Sequence, residues 1–283
     1  MQIVKDQAYE LTVSEMNILL EPISRRIKIY KLPQKNKLKD FINILKEVSD
    51  IHKCDKVIFY VKKNEKEWLP SFSCSYEGRI EGFFNGEDAF IYSLFFIPSR
   101  NDATVLVKEE NHILELAKQR RVVIKHAPVP TGYKMRWAHA DDVKQLAALY
   151  DTVFQSYPTP MNDPQFIREM MDCDVYFLVV EKGKEIVSAC SADVQTEFQA
   201  AELSDCATKE EHRKKQLLSC QVAQLIPKVK QMDLKTIFSY SRSVSLGMNL
   251  VNAKHGFKYG GRMIQNSNIA GRLENMNIWY KRL

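Results

Sequence analysis

Glu202, Asp205 and Cys206 fall within five residues of one another, and the basic turn "HRKKQ" follows a few positions later. A carboxylate can take the proton that an ammonium must lose before it attacks a carbon centre. Glu202 is the preferred base. Asp205 lies three residues on, which in a regular strand turns it to the opposite face, so the two are expected to have separate tasks. A cysteine acts as a nucleophile only when a neighbouring base activates it, and the sequence supplies none for Cys206. The wider stretch "LSDCATKEEHRKKQLLSCQVAQLI", Leu203 to Ile226, reads as a strand, a short basic turn and an apolar-striped helix from about Arg213 to Met232. A helix start aims free N–H groups and the positive end of its dipole at an anion, so this joint suits a phosphate. It contains no glycine, however, and a basic helix start is also ordinary solvated surface. It can dispense with glycine if Gln216 and Leu218 enter the helix at ordinary helical φ.

The elements that would position these residues follow from periodicity. Before a Pro- and Gly-bearing linker near Ala127 to Gly132, "RIKIYKL" and "KVIFYVK" read as strands, with Leu38, Phe41, Ile42, Leu45 and Val48 at helical spacing between them. "RIEGFFNGEDAFIYSLFFI" is a hairpin about Asn85-Gly86, and a helix is expected from about Ala103 to Arg121. After the linker the order is strand, helix, helix, three strands, helix, strand, helix, two strands. One of these helices has Asp163 as its N-cap and Pro164 at its first position, and a hairpin turns at Lys182-Gly183. No internal repeat or low-complexity tract is evident.

A chain of 283 residues is expected to form two domains, 1–130 and 131–283. The composition, 45% hydrophobic and 27% charged, is ordinary for a globular protein. No apolar run suits a membrane span, and the first residues lack the pattern of a signal peptide. The six cysteines include no CxxC pair and the histidines no ligand spacing, so no metal is expected and a reduced, cytoplasmic setting is. The surplus charge of +6 divides evenly between the parts before and after Tyr133. Spread in this way it argues against nucleic-acid binding, which concentrates charge in a stripe or arm.

The element order, with "ATKEEHRKKQLL" and "NLVNAKHGFKYGG", resembles the GNAT acyl-CoA-dependent N-acetyltransferases. Their turn signature is Arg or Gln, two residues, Gly, one residue, then Gly or Ala. Arg213 matches, whereas Gln216 and Leu218 stand where the small residues belong. Asn249, Lys254 and Gly256-Phe257 fit the second motif. "IEGFFNGEDAF", "AELSDCAT", "GMNLVNAKHGFKYGGR" and "ENMNIWYKRL" are similar to the β-lysine N6-acetyltransferases over nearly the whole chain. The resemblance implies an α/β (α+β) fold: a mixed, mostly antiparallel sheet flanked by helices, with a smaller N-terminal α/β domain. It also implies acetyl-CoA as co-substrate, a free diamino acid as acceptor, Nε-acetyl-β-lysine as a compatible-solute product, and lysine 2,3-aminomutase as metabolic partner. A polyamine or protein lysine as acceptor, or a non-catalytic acyl-CoA-binding module, are the alternatives.

The same resemblance assigns roles. Backbone groups of Cys206, Ala207 and Thr208 would hold the pantetheine arm, one N–H there facing the thioester carbonyl. Residues Arg213, Lys214, Lys215, Gln216, Leu217, Leu218 and Ser219 would cradle the pyrophosphate, with Asn249 and Lys254 also at the cofactor. Asn252 replaces the tyrosine that many relatives use to protonate the leaving thiolate. Tyr157 and Pro158 would belong either to an acceptor loop or to a rigid turn. Asp205 would hold an amino group or sit at the surface. Glu87 and Asp88 would reach the acceptor if the domains abut.

Overall fold

The computed structural model describes residues 9–13, 15–102, 106–119, 124 and 128–283. Its strands join in one 13-stranded sheet. In the first half β1 (Tyr9–Val13), β2 (Met16–Glu21), β3 (Arg26–Ile29), β4 (Lys56–Val61), β5 (Ser75–Phe84) and β6 (Glu87–Phe95) lie in the order β1-β2-β3-β4-β6-β5. Helix α1 (Leu38–His52) is the crossover between the parallel strands β3 and β4. It packs Leu38, Phe41 and Leu45 against them. The β5–β6 hairpin turns where Asn85 and Gly86 both have positive φ, 51° and 98°, which matches the twist of the strands it joins. Strands β1 and β2 are not anticipated from the sequence. Ala103, Arg121 and Ala127, at the ends of the expected helix and linker, lie outside the described residues; α2 (Val107–Gln119) fills the middle of that helix and packs on the second half.

The second half follows the expected order: β7 (Lys134–Trp137), α3 (Val143–Val153), α4 (Pro164–Asp172), β8 (Val175–Lys182), β9 (Glu185–Gln195), β10 (Ala200–Thr208), α5 (Leu217–Gln231), β11 (Thr236–Arg242), α6 (Leu246–Lys254), β12 (Lys258–Ile269) and β13 (Arg272–Arg282). Its strands run β12-β13-β11-β10-β9-β8-β7. Helices α5 and α6 cover one face around Leu203, Val222 and Trp279, and α3 and α4 cover the other around Tyr150 and Phe177. Within the sheet the halves join at β5 and β12, where Gly78–Gly261 is the one ladder pair among the described residues. Counted outward from that seam, both halves follow the same path, with one parallel pair each, β3–β4 and β10–β11. Two pairings behave differently. β3 pairs with β4 along its whole length, whereas β10 leaves β11 after Ala200, Ala201 and Glu202. No helix among the described residues is long and apolar enough to cross a membrane.

Candidate active site

Where β10 and β11 part, a cavity of about 670 Å³ passes through the sheet. Its walls are Leu203 to Cys206 and Thr208 on one side and Ser239 to Arg242 on the other. Past Glu202 the β10 backbone has no ladder partner in β11 among the described residues, so peptide groups there are available to a ligand. Ser239 Oγ lines this opening, is buried and has no hydrogen-bond partner among the described residues.

On the α5 side the cavity is bounded by Arg213, Lys214, Gln216, Leu217, Leu218 and Ser219, with Lys254 opposite. The helix does not begin at Arg213 as the sequence suggests. Arg213 is extended (φ −66°, ψ 168°) and α5 starts at Leu217. Lys214 and Gln216 adopt left-handed φ values of 63° and 61°, so the expectation of ordinary helical φ at Gln216 is overturned. The turn keeps the backbone shape for which glycine is the usual residue, and it does so with a lysine and a glutamine. Leu218 does lie inside the helix. Lys215 is absent from the cavity wall: its ammonium donates to the Glu211 carbonyl at 2.8 Å and lies over the Tyr133 ring. Ser219 Oγ and His255 Nε2 are 2.8 Å apart. Burial, together with Lys281 and Lys254, pushes His255 down to about 4, so its ring is neutral at pH 7.

The other face holds the acid–base groups, and a bulge in β10 arranges them. The β9–β10 register shifts between Ser204 and Ala207, and Asp205 has φ 47°. The extra residue turns Asp205 onto the face of Ser204 and Glu202, against the alternation expected from the sequence. Its carboxylate accepts from Ser191 Oγ at 2.6 Å and from the Tyr157 hydroxyl at 3.1 Å, and the Tyr150 hydroxyl donates to its carbonyl at 2.7 Å. Burial raises Asp205 to about 6, with Asp193 adding to the rise while Ser191 and Tyr157 oppose it. Glu202 pairs directly with Asp193 across β9 and β10, so both side chains stand on this face. Burial raises Glu202 to about 8; Lys28 and Arg26 pull it down, and Asp193 and Asp205 push it up. Cys206 points the other way, and burial lifts its thiol well above the usual range, as suits an inert side chain. Ala207 is buried and ladder-paired with Ala189.

Two further expectations do not match the geometry. Asn249 does not line the cavity. It is fully buried, accepts from Ser241, Asn277 and Trp279, and donates to the Arg242 and Ser245 carbonyls. It ties α6 to β11 and β13, leaving it no group for a cofactor. Glu87 is exposed at the β5–β6 turn and paired with Lys62 at 2.8 Å, and Asp88 accepts from the Gly82 N–H; neither lines the cavity. Asn252, at the place of the tyrosine acid, is fully buried and also lies off the cavity wall. Conversely Tyr240 lines the cavity and Asp193 stands opposite Glu202, and neither was singled out. The signal for Asp193 is countable: a tight turn at Thr196–Gln199 sets Gln195 opposite Ala200, hence Asp193 opposite Glu202.

No family profile matches the chain. It is 34% identical over 229 residues to the N-acetyltransferase YodP of Bacillus subtilis, spanning 81% of this chain and 82% of that protein. It is 29% identical over 274 residues to the β-lysine N(6)-acetyltransferase of Methanococcus maripaludis, spanning 96% and 97% of the two chains. Among solved structures, the ribosomal-protein-alanine N-acetyltransferase of Brucella melitensis superposes with a TM-score of 0.47 at 17% identity, over 53% of this chain and 99% of that one.

Proposed function

The chain belongs to the GNAT acyl-CoA-dependent N-acetyltransferases, within the family of the β-lysine N6-acetyltransferases, and on that premise we propose that it moves an acetyl group from acetyl-CoA to the terminal amine of β-lysine. The observation that carries this reading is the cavity through the sheet, with a turn suited to an anion on one face and, on the other, the Ser204–Asp205 wall, which adjoins Glu202 on the same face of β10. The N–H groups at the start of α5, with Arg213, Lys214 and Lys254, suit a pyrophosphate. The unpaired β10 peptide groups and Ser239 Oγ suit the amides of a pantetheine arm. Glu202 takes the proton from the N6 ammonium, and the freed amine attacks the thioester carbon in a ternary complex. A backbone N–H at Cys206–Ala207 stabilises the oxyanion. The C–S bond then breaks and the thiolate of CoA leaves. Tyr157 lines the cavity, with its hydroxyl donating to Asp205, and would give that sulfur its proton.

Residues 131–283 supply the acetyl-transfer machinery and residues 1–130 complete the acceptor side. The substrate would come from a 2,3-aminomutase acting on lysine, and the product would be Nε-acetyl-β-lysine. A CoA-release assay across β-lysine, lysine, ornithine, spermidine and a lysyl peptide tests the reading. The highest kcat/KM is expected for β-lysine, and a higher value for spermidine or the peptide overturns it.

A further inference from the structure

The acceptor face of the second half lies against the first half, and the contact brings opposite charges together. Arg26 and Lys28 on β3, and Tyr30 just past its end, alternate onto one face. Tyr30 meets Phe198 with ring centroids 5.1 Å apart and Tyr60 at 4.7 Å. The Tyr60 and Tyr240 hydroxyls are 2.7 Å apart. Tyr240 lines the cavity and shares the Glu202 face, because Glu202 pairs with Phe238 two residues before it. Lys28 therefore faces the Asp193–Glu202 pair, and its charge is the leading one acting on both carboxylates.

These groups differ in how far they are already used. Arg26 is held by Glu21, the Asn266 carbonyl at 2.8 Å and Ser267 Oγ at 2.9 Å. Lys28 makes one hydrogen bond among the described residues, to Glu21 at 3.1 Å, which leaves it further protons to donate. Asp193 and Glu202 make no hydrogen bond or ion pair among the described residues, although both are half-buried. Half-buried carboxyl groups without hydrogen-bond partners are costly, and burial answers by raising both pKa values. A ligand bearing two ammonium groups and one carboxylate would satisfy all three groups together.

We propose that Lys28 and Asp193 read the head of the acceptor, Lys28 binding its carboxylate and Asp193 its second ammonium, while Glu202 serves the amine that is acetylated. The site thus selects a diamino acid, and Lys28 repels a diamine or polyamine that brings only positive charge. This deepens the β-lysine reading above and rests on it. Asp193 is on β9 and Lys28 on β3, so recognition spans both halves of the chain.

The test uses the full-length protein with β-lysine and with cadaverine, a diamine lacking the carboxylate. Lys28→Met should raise KM for β-lysine roughly tenfold or more, an ordinary cost for losing one charged partner, with KM for cadaverine unchanged or lower; because Lys28 holds the Glu202 pKa down, the kcat inflection should move to higher pH for both acceptors. Lys28→Arg should restore most of the loss. Asp193→Asn should raise KM for both acceptors and leave KM for acetyl-CoA alone, which also controls for folding. If Lys28→Met does not hold acetyl-CoA, Lys28→Gln replaces it. Should wild type fail to acetylate β-lysine, the functional reading falls and this inference with it. Should wild type acetylate β-lysine while the uncharged Lys28 variant shifts KM for both acceptors equally, or for neither, this inference alone falls.

Discussion

At the scale of the residue, Glu202 shows how burial fits a carboxylate to its task. A base works best with a pKa near the working pH, and burial brings this one to about 8. For wild type, kcat/KM for β-lysine should therefore climb with pH through an apparent pKa near 8. Glu202→Gln should lose that inflection and most of its activity at neutral pH, recovering in part as the free amine accumulates in alkaline solution. Wild-type rates across the whole profile would remove Glu202 from the mechanism. The same shift has a sign for stability. A carboxyl whose folded pKa is raised holds its proton in the native state while the unfolded chain has lost it. Its contribution is most favourable below the unfolded value of about 4.3 and is lost as pH rises through the folded value of about 8. Thermal unfolding above pH 8 should accordingly show the Gln variant more stable than wild type, with the difference gone in acid.

At the scale of the element, the turn before α5 holds Gln216 in the left-handed region at φ 61°, which costs an L-residue other than glycine roughly 1–2 kcal/mol. Gln216→Gly removes that strain, though the freer unfolded chain offsets about half of the gain. It also removes a side chain from the wall where phosphate would approach. Calorimetric titration should find acetyl-CoA bound a few-fold tighter by this variant, and weaker binding would mean that the glutamine side chain itself grips the cofactor. Leu218→Ala should add little, since Leu218, although it borders the cavity, lies within the helix and packs on the core beneath it. This turn also marks what the sequence makes legible. Apolar spacing discloses the order of every element after the linker, because burial repeats with the period of the backbone. Positive φ at Asp205 and Gln216 leaves no such trace: neither is glycine, and both conformations are imposed by the surrounding fold. The bulge was hidden for that reason, and with it the fact that Asp205 and Glu202 share a face. Lys28 was hidden for another, since the carboxyls it faces, Asp193 and Glu202, lie on two strands more than a hundred residues away.

At the scale of the whole molecule, one continuous sheet depends on a seam without side chains. A Cβ on Gly261 would lie 2.1 Å from the Glu77 carbonyl oxygen, and φ there is 147°, within the region that favours glycine. Gly261→Ala must therefore push β12 from β5, beside the buried pair of Lys56 and Glu77 at 2.9 Å. Such a shift belongs with the large mutational costs, about 3 kcal/mol or more. Differential scanning should show a marked fall in Tm, and kinetics on the surviving fold should show acceptor KM rising more than acetyl-CoA KM. An unchanged Tm would show that the seam yields without loss. The sheet that this seam closes carries one wiring diagram twice, and the copies differ in whether their parallel strands stay zipped. β3 and β4 remain joined and leave no opening; β10 and β11 separate and admit a ligand. The first half thus serves as a wall: its closed ladder frees that surface from chemistry, and it is the surface from which Lys28 would reach the acceptor.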